Sequence, residues 1–169
     1  IKSIAFTGGG EPTMNPALKE TVEYLKKNSN IQLGMYSNGS MLKRFDLFET
    51  VVDSLEWIRI SIDAGSKKFY DDLRVTNSSN DFDTVISNIK ELIETKKKKN
   101  SKIIIGVGFV VTKENYTEVI DFSNLFKDID VDYCQFKPEI IQIERNGSQD
   151  TIKQQISSEF WAYKVIDLL

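Results

Sequence analysis

Three short motifs with polar side chains each follow a run of strand-forming residues. They are TGGGEP at 7–12, YSNG at 36–39 and SIDAG at 61–65, and a fourth motif, FYDDLRV, occupies 69–75. Their carbonyl, carboxylate, hydroxyl and guanidinium groups can bind the ammonium, hydroxyl and carboxylate groups of a small ligand. The chain has no histidine and one cysteine. These counts exclude Ser-His and Cys-His nucleophile pairs, and any multi-thiolate metal site built from this chain alone.

The glycine-rich motif places Gly8, Gly9 and Gly10 directly before Glu11 and Pro12. Glycines let backbone amides and carbonyls approach a ligand closely. The motif is not a Walker phosphate loop, because no Gly-Lys-Ser/Thr follows it, and the acidic Glu11 disfavours an anion. A carboxylate among exposed carbonyls instead favours an ammonium group. A tight turn without a ligand is the alternative.

The other motifs offer complementary groups. Ser37 and Asn38 can exchange hydrogen bonds with a polar ligand, although Ser-Asn-Gly is also a common turn. Ser61 and Asp63 share one side of a strand end and can bind the vicinal hydroxyls of a ribose, or Asp63 can cap a helix. Arg74 can hold a carboxylate with two parallel hydrogen bonds, or pair with a neighbouring aspartate at the surface.

The elements that position these motifs alternate between strand and helix. Strand patterns cover 1–8, 31–39, 55–63, 102–111 and 131–138, and the clearest amphipathic helix covers 81–97. Right-handed connections between such units predict a parallel sheet. Asn15 is predicted to cap the first helix, and Asn115 with Glu118 resembles a capping box. The pattern is lost over 139–156, where we expect an irregular loop.

Side-chain alternation indicates how the sheet is used. Ile58, Ile60 and Ile62 share one face of their strand, and Arg59 lies on the other face with Ser61. A sheet covered by helices on both faces would be apolar on both. We therefore predict an α/β fold with a curved, partial TIM-barrel-like sheet of about five parallel strands around a ligand, a hydrogen-bonded polar core being the alternative. Gly106 and Gly108 leave room for a flat ring.

Composition limits the partners. The net charge of −3 gives no basic surface for nucleic acid, and no apolar run reaches the ~20 residues of a membrane span. A small-molecule ligand is predicted, with no nucleic acid or membrane partner. Cys134 is predicted to be a core residue, and a lone cysteine favours a reducing, cytoplasmic location. Both ends of the chain lie inside predicted elements, so we expect a domain truncated at both ends.

In combination, these motifs resemble the radical S-adenosylmethionine superfamily. FTGGGEPTMNP resembles its GGEP motif and YSNGS its second-strand Asn-Gly motif. SIDAGSKKFYDDLRV with FDTVISNI resembles its ribose and carboxylate segment, and VGFVVTKENYTEV the run into its fifth helix. The resemblance covers residues 1 to 138 and implies a partial barrel that binds S-adenosylmethionine.

The resemblance also implies a role for each matching residue. Residues 8–12 would contact the methionyl ammonium, mainly through backbone atoms, and Ser37 and Asn38 would line the methionine and ribose. The remaining contacts would be Ser61 and Asp63 to the ribose hydroxyls, Arg74 to the carboxylate, Val107 and Phe109 to the adenine, and Lys137 to substrate or carboxylate. No catalytic residue is predicted.

The chain departs from the family in one respect. The family's C-x-x-x-C-x-x-C loop lies upstream of GGEP and supplies three thiolates to a 4Fe-4S cluster, and this loop is absent here. The resemblance implies a parent enzyme that reductively cleaves S-adenosylmethionine to a 5′-deoxyadenosyl radical and abstracts hydrogen from an unknown substrate, for which a peptide or protein is one class. The fragment alone is expected to be inactive. The alternatives are a degenerate, non-catalytic S-adenosylmethionine-binding or regulatory module, and a barrel lyase with Lys137 as Schiff-base nucleophile.

Overall fold

The fold is built on one parallel sheet, seen in a computed structural model that describes residues 1–73, 81–142 and 154–156. Its strands are β1 (Ser3–Phe6), β2 (Gln32–Ser37), β3 (Trp57–Ser61), β4 (Ile104–Val111) and β5 (Tyr133–Pro138). They pair in chain order, every pair is parallel, and the sheet stays open. The predicted α/β fold with five parallel strands is confirmed.

Helices connect the strands. They are α1 (Leu18–Asn28), α2 (Phe48–Ser54), α3 (Lys67–Leu73), α4 (Asp81–Lys99) and α5 (Val119–Ile129). The first helix begins at Leu18, later than predicted, and Asn15 does not cap it. The Asn15 side chain instead accepts a hydrogen bond from the amide of Ala17 at 3.0 Å, within the turn that precedes α1. Among the described residues, none of these helices has both the length and the apolar character that a membrane span needs.

The hydrophobic core lies between one face of the sheet and the helices. Ile58 and Ile60 of β3 are fully buried there, and Leu33 of β2 lies beside them. Val85 and Ile89 of α4 pack against the same cluster with no exposed surface. Burial of such a side chain contributes about 1.5–3 kcal/mol. The apolar face predicted from alternation is therefore the face that holds the helices to the sheet.

The opposite face of the sheet carries half-buried aromatic rings and a cation. The Tyr36 and Trp57 rings meet edge to face at 4.8 Å. A Cβ built on Gly34 would overlap the Trp57 ring, and one built on Gly106 would overlap the ring of Tyr133. The space beside Gly106, which the sequence predicted for a flat ligand ring, is thus filled by the protein itself. This is a correction, and its cause is a neighbouring strand whose register brings an aromatic ring over the glycine.

The segment predicted as an irregular loop has regular structure at both ends. Strands β6 (Ile140–Gln142) and β7 (Gln154–Ile156) pair in antiparallel fashion. Residues 143–153 between them lie outside the described residues. The expected irregular loop over 139–156 is corrected to that extent. Each of these strands has three residues, which is too short for side-chain alternation to be recognised in the sequence.

Candidate ligand-binding site

The glycine turn after β1 leaves its backbone accessible. Gly8 has φ of 138°, a conformation that residues with a side chain rarely adopt. A Cβ built on Gly9 or Gly10 meets no atom within 4 Å. The turn borders a cleft of about 260 Å³, which is lined by Ala5, Phe6, Thr7, Gly9, Gly10, Glu11, Pro12, Asn15 and Leu18. A ligand can therefore approach the main chain of this turn without displacing a side chain.

Glu11 joins this turn to the end of β2. One carboxylate oxygen accepts hydrogen bonds from the amide and hydroxyl of Thr13 at 3.1 and 2.6 Å and from the hydroxyl of Ser37 at 2.7 Å. The other accepts from the amide of Asn38 at 2.6 Å. Because most of the carboxylate's acceptor capacity is used inside the protein, the carbonyls of the glycine turn are the main acceptors left for a ligand ammonium.

The two polar residues of the second motif face different ways. Ser37 is 4% exposed, and its hydroxyl accepts from the Gly39 amide at 2.9 Å while donating to Glu11. Asn38 is half-buried, and its side-chain oxygen accepts from the amide and hydroxyl of Ser40 at 2.9 and 2.7 Å. The Ser37 side chain is thus buried against Glu11, whereas the Asn38 side chain is partly exposed beyond the end of β2.

A buried asparagine that the sequence reading missed fixes the same loop. Asn88 of α4 is 1% exposed and donates to the carbonyls of Gly39 and Ser40 at 2.7 and 3.2 Å. Its signal was present in the sequence, because it lies three residues after Val85 on the apolar face of the helix. A polar residue on such a face needs a buried partner.

The third motif forms the edge of a small polar cavity. Asp63 has φ of 62°, and its carboxylate accepts from the amide of Val110 at 2.7 Å. The cavity is about 30 Å³ and is lined by Arg59, Ser61, Asp63, Gly108, Phe109, Val110, Gln135 and Lys137. This is enough for a water molecule or the tip of a polar group. The structure thus brings together four of the predicted contacts, which are Ser61, Asp63, Phe109 and Lys137.

Asn115 connects the loop after β4 to Asp63 at the edge of this cavity, and its side chain is not the helix cap that the sequence indicated. Its side chain accepts from the Thr112 amide at 2.7 Å and donates to the carbonyls of Val110 and Asp63 at 2.8 and 3.1 Å. The Glu118 carboxylate accepts from the amide of Gly65 and the hydroxyl of Ser66 instead. The capping-box prediction is wrong, because both side chains form long-range contacts that a local pattern does not reveal.

The remaining predicted contacts are placed as follows. Val107 and Phe109 are 0% and 1% exposed with their side chains in the core, opposite to Gly108, so only their backbone remains for an adenine. The expectation was that backbone and side chains around Val107 to Phe109 flank an adenine, and the burial of these two side chains corrects the part that concerns them. Lys137 is exposed on β5. Arg74 lies outside the described residues.

Arg59 lies on the sheet face opposite the hydrophobic core, where it lines the polar cavity. Its Nη1 donates to Oε1 of Gln135, and its guanidinium carbon lies 4.3 Å from the centre of the Tyr36 ring. Its Nε is buried without a hydrogen-bond partner among the described residues. Burial raises the pKa of Tyr133, and the nearby Arg59 charge partly opposes this rise. Strand alternation had placed Arg59 on the same face as Ser61, but no role for Arg59 was predicted from the sequence.

Two relatives are similar in sequence to most of this chain. It is 31% identical over 132 residues to a probable GTP 3′,8-cyclase of Saccharolobus islandicus, covering 78% of this chain and 39% of the cyclase. It is 29% identical over 133 residues to a tungsten-containing aldehyde ferredoxin oxidoreductase cofactor-modifying protein of Pyrococcus furiosus, covering 78% of this chain and 36% of that protein. The chain therefore spans less than half the length of these relatives.

Solved structures share the fold. Native anSMEcpe with bound AdoMet and Cp18Cys peptide superposes with a TM-score of 0.63 at 22% identity, covering 88% of this chain and 41% of that one. Streptococcus suis SuiB bound to S-adenosylmethionine gives 0.64 at 16% identity, covering 98% and 34%. The sequence profile of the Radical SAM superfamily matches residues 1–123. With its parallel sheet and its glycine turn after β1, the chain belongs to the radical SAM superfamily.

Proposed function

We propose that this chain is the S-adenosylmethionine-binding core of a radical SAM enzyme. The observation that carries the proposal is the glycine turn at 8–10, whose backbone has open space around it and whose following carboxylate is locked to the end of β2. An ammonium group needs several acceptors at a fixed spacing, and carbonyls of a held turn supply them. The residues present fit this cofactor.

The other residues have separate roles in this proposal. Glu11 and Asn38 orient the turn that receives the methionyl ammonium, and Pro12 restricts the chain that leaves it. Ser61 and Asp63 bind the ribose hydroxyls at the end of β3, beside the polar cavity. The backbone of β4 near Val107 and Phe109 flanks the adenine. Arg74 is proposed for the methionyl carboxylate.

The residues of this chain do not fit the iron–sulfur cluster of the family. A single cysteine, Cys134, is half-buried against the core, and no group of three possible metal ligands occurs among the described residues. Three thiolates would have to come from outside these 169 residues. We therefore propose that the chain alone binds S-adenosylmethionine without cleaving it.

In the parent enzyme, radical chemistry would require S-adenosylmethionine and the iron–sulfur cluster together. Together with a reduced cluster held by other residues, S-adenosylmethionine would supply the radical chemistry for hydrogen abstraction from substrate. This chain would hold the adenosyl group in one orientation through contacts at three strand ends. Among the neighbours, anSMEcpe is solved with the Cp18Cys peptide. A peptide or protein substrate is accordingly one class that we propose.

Calorimetric titration with S-adenosylmethionine tests the cofactor assignment. The chain should bind with saturable heat, and Gly10→Ala should weaken binding by about tenfold or more, because the added methyl group occupies the ligand's space, equivalent to about 1.4 kcal/mol. Glu94→Ala, exposed on α4, is the control and should bind as the parent sequence does. Absence of heat in every variant would overturn the assignment, and equal binding by Gly10→Ala would exclude the turn.

Two other functions predict different outcomes. A degenerate, non-catalytic module would bind S-adenosylmethionine with equal affinity, but its complete protein would form no 5′-deoxyadenosine under reducing, anaerobic conditions. A Schiff-base lyase would be trapped on Lys137 by borohydride in the presence of a carbonyl substrate. The exposed position of Lys137 does not favour the lyase, since a nucleophilic lysine is usually desolvated in an apolar pocket.

A further inference from the structure

Arg59 is a cation on the sheet face opposite the hydrophobic core, and no carboxylate of the described residues forms an ion pair with it. Among the described residues, the ion pairs involve lysines at the surface, and none includes Arg59. A half-buried charge without a counter-ion is costly. Burial keeps the pKa of Tyr133 above its ordinary value, so this neighbouring phenol is neutral near pH 7 and supplies no negative charge.

The contacts of Arg59 use one edge and one face of its guanidinium. Nη1 donates to Gln135, and the Tyr36 ring covers the flat face. Nε has no partner among the described residues. Nε and Nη2 form the remaining edge, whose two parallel N–H groups match the two oxygens of a carboxylate or phosphate.

Arg59 borders a cavity whose lining is largely polar and includes a second cation. This cavity has a volume of about 30 Å³, and the second cation is Lys137. The Asp63 carboxylate at the rim accepts from the Val110 amide. Arg59 precedes Ser61 by two residues on the same strand face, so the two side chains leave the sheet about 7 Å apart. A group held by Arg59 would therefore lie next to the proposed ribose position and not on it.

We propose that Arg59, aligned by Gln135 and assisted by Lys137, binds an anionic oxygen group of the substrate. The group is a carboxylate or a phosphate, since both present two oxygens at the spacing of the guanidinium edge. The proposal rests on the proposed function, because it assigns the neighbouring Ser61 and Asp63 to the cofactor. It gives the enzyme a fixed charge by which an acidic substrate is oriented.

Nuclear magnetic resonance of the arginine Nε–H groups tests this subsite directly. The chain is titrated with acetate and, separately, with inorganic phosphate, with sodium chloride at matched ionic strength as the reference. The Arg59 resonance should shift in a saturable manner with both probes or with one of them. A preference for acetate assigns a carboxylate, and a preference for phosphate assigns a phosphate ester.

Matched variants complete the test. Arg59→Lys should remove the saturable response, whereas Arg44→Lys should leave it intact, because Arg44 is exposed and its guanidinium lies 5.5 Å from the Phe45 ring. The titration of the unmodified chain stands even if Arg59→Lys folds poorly. A purely linear response, or one equal to that of chloride, would overturn the proposal.

Calorimetry separates this proposal from the cofactor assignment. S-adenosylmethionine affinity should change less than about twofold in Arg59→Lys, and the acetate response should persist with S-adenosylmethionine bound. Loss of the acetate response on adding S-adenosylmethionine would overturn the substrate role, because Arg59 would then serve the cofactor. If the chain binds the anion at Arg59 but does not bind S-adenosylmethionine, the anion subsite stands and the proposed function is rejected.

Discussion

At the scale of single residues, the site is shaped by polar side chains that need not touch the ligand. Glu11, Asn88 and Asn115 each form two or more hydrogen bonds that join a strand-end loop to another element. Each bond contributes about 0.5–1.5 kcal/mol, and more where a charge is involved. Removal of one of these side chains also leaves its donor or acceptor partners without a hydrogen bond, so each of these residues should be sensitive to substitution.

Glu11→Gln tests the strongest of these connections. The amide retains one oxygen but turns an NH₂ group toward donors of Thr13, Ser37 or Asn38. We expect the free energy of unfolding in urea to fall by about 1–3 kcal/mol. Glu94→Gln, exposed on α4, should change it by less than about 0.5 kcal/mol. Equal denaturation midpoints for the two variants would show that Glu11 does not hold the loop.

Cys134 provides a pH-dependent signal. Burial raises the pKa of its thiol, so the folded chain has less thiolate than an unfolded one at pH 8. We expect slower alkylation by iodoacetamide than in guanidinium chloride at the same pH, with the rate rising as pH increases. Because the folded pKa is the higher one, stability should decline as pH passes the ordinary thiol value. Equal rates for the folded and unfolded chain would contradict this.

At the scale of elements, alternation within one strand was predictable and contacts between strands were not. The separation of Ile58 from Arg59 onto opposite faces follows from the period of a strand, and the structure has it so. The ring of Tyr133 over Gly106 depends on the register of two strands, which no single segment encodes. For the same reason the contact of Asn115 with the carbonyl of Asp63 was missed, since Asp63 lies on a different loop.

Gly65→Ala probes the contact between the third motif and α5. A Cβ there would lie 2.5 Å from the backbone nitrogen of Phe122 and 2.6 Å from the backbone carbonyl oxygen of Glu118. Backbone atoms cannot rotate away, so α5 must move, at a cost of about 1–3 kcal/mol measured by thermal or urea unfolding.

Gly9→Ala is the matched control, because its Cβ meets nothing within 4 Å. Its stability should stay level or rise by up to about 1 kcal/mol, since alanine reduces the freedom of the unfolded chain. Were both variants equally stable, the close approach of α5 to Gly65 would not be a constraint on the fold.

At the scale of the whole molecule, the chain is built on an open, five-stranded parallel sheet, and no group of three possible metal ligands occurs in the part of the chain that the structure describes. The chain covers 39% of the cyclase relative. The family and the fold were predictable because three motifs at strand ends carry them. The substrate was not, since residues such as Arg59 gain meaning only from the cross-strand neighbours Tyr36 and Gln135.

Anaerobic reconstitution with iron and sulfide tests whether this chain can assemble an iron–sulfur cluster by itself. This chain should gain no broad absorbance near 400 nm and form no 5′-deoxyadenosine with dithionite, while still binding S-adenosylmethionine. The reason is that one thiol cannot replace three. A brown protein with several iron atoms per chain would contradict the expectation, and the iron content measured after desalting decides it.

The side chains of Glu11, Asn88 and Asn115 also bear on how fast a ligand can be captured. Ordering one loop residue costs about 1–2 kcal/mol of entropy, and here that cost is met during folding. Association should therefore proceed as a single encounter whose rate grows linearly with ligand concentration, without the plateau that a slow loop rearrangement imposes. A parent enzyme built on this core would receive its cofactor in a cradle already formed.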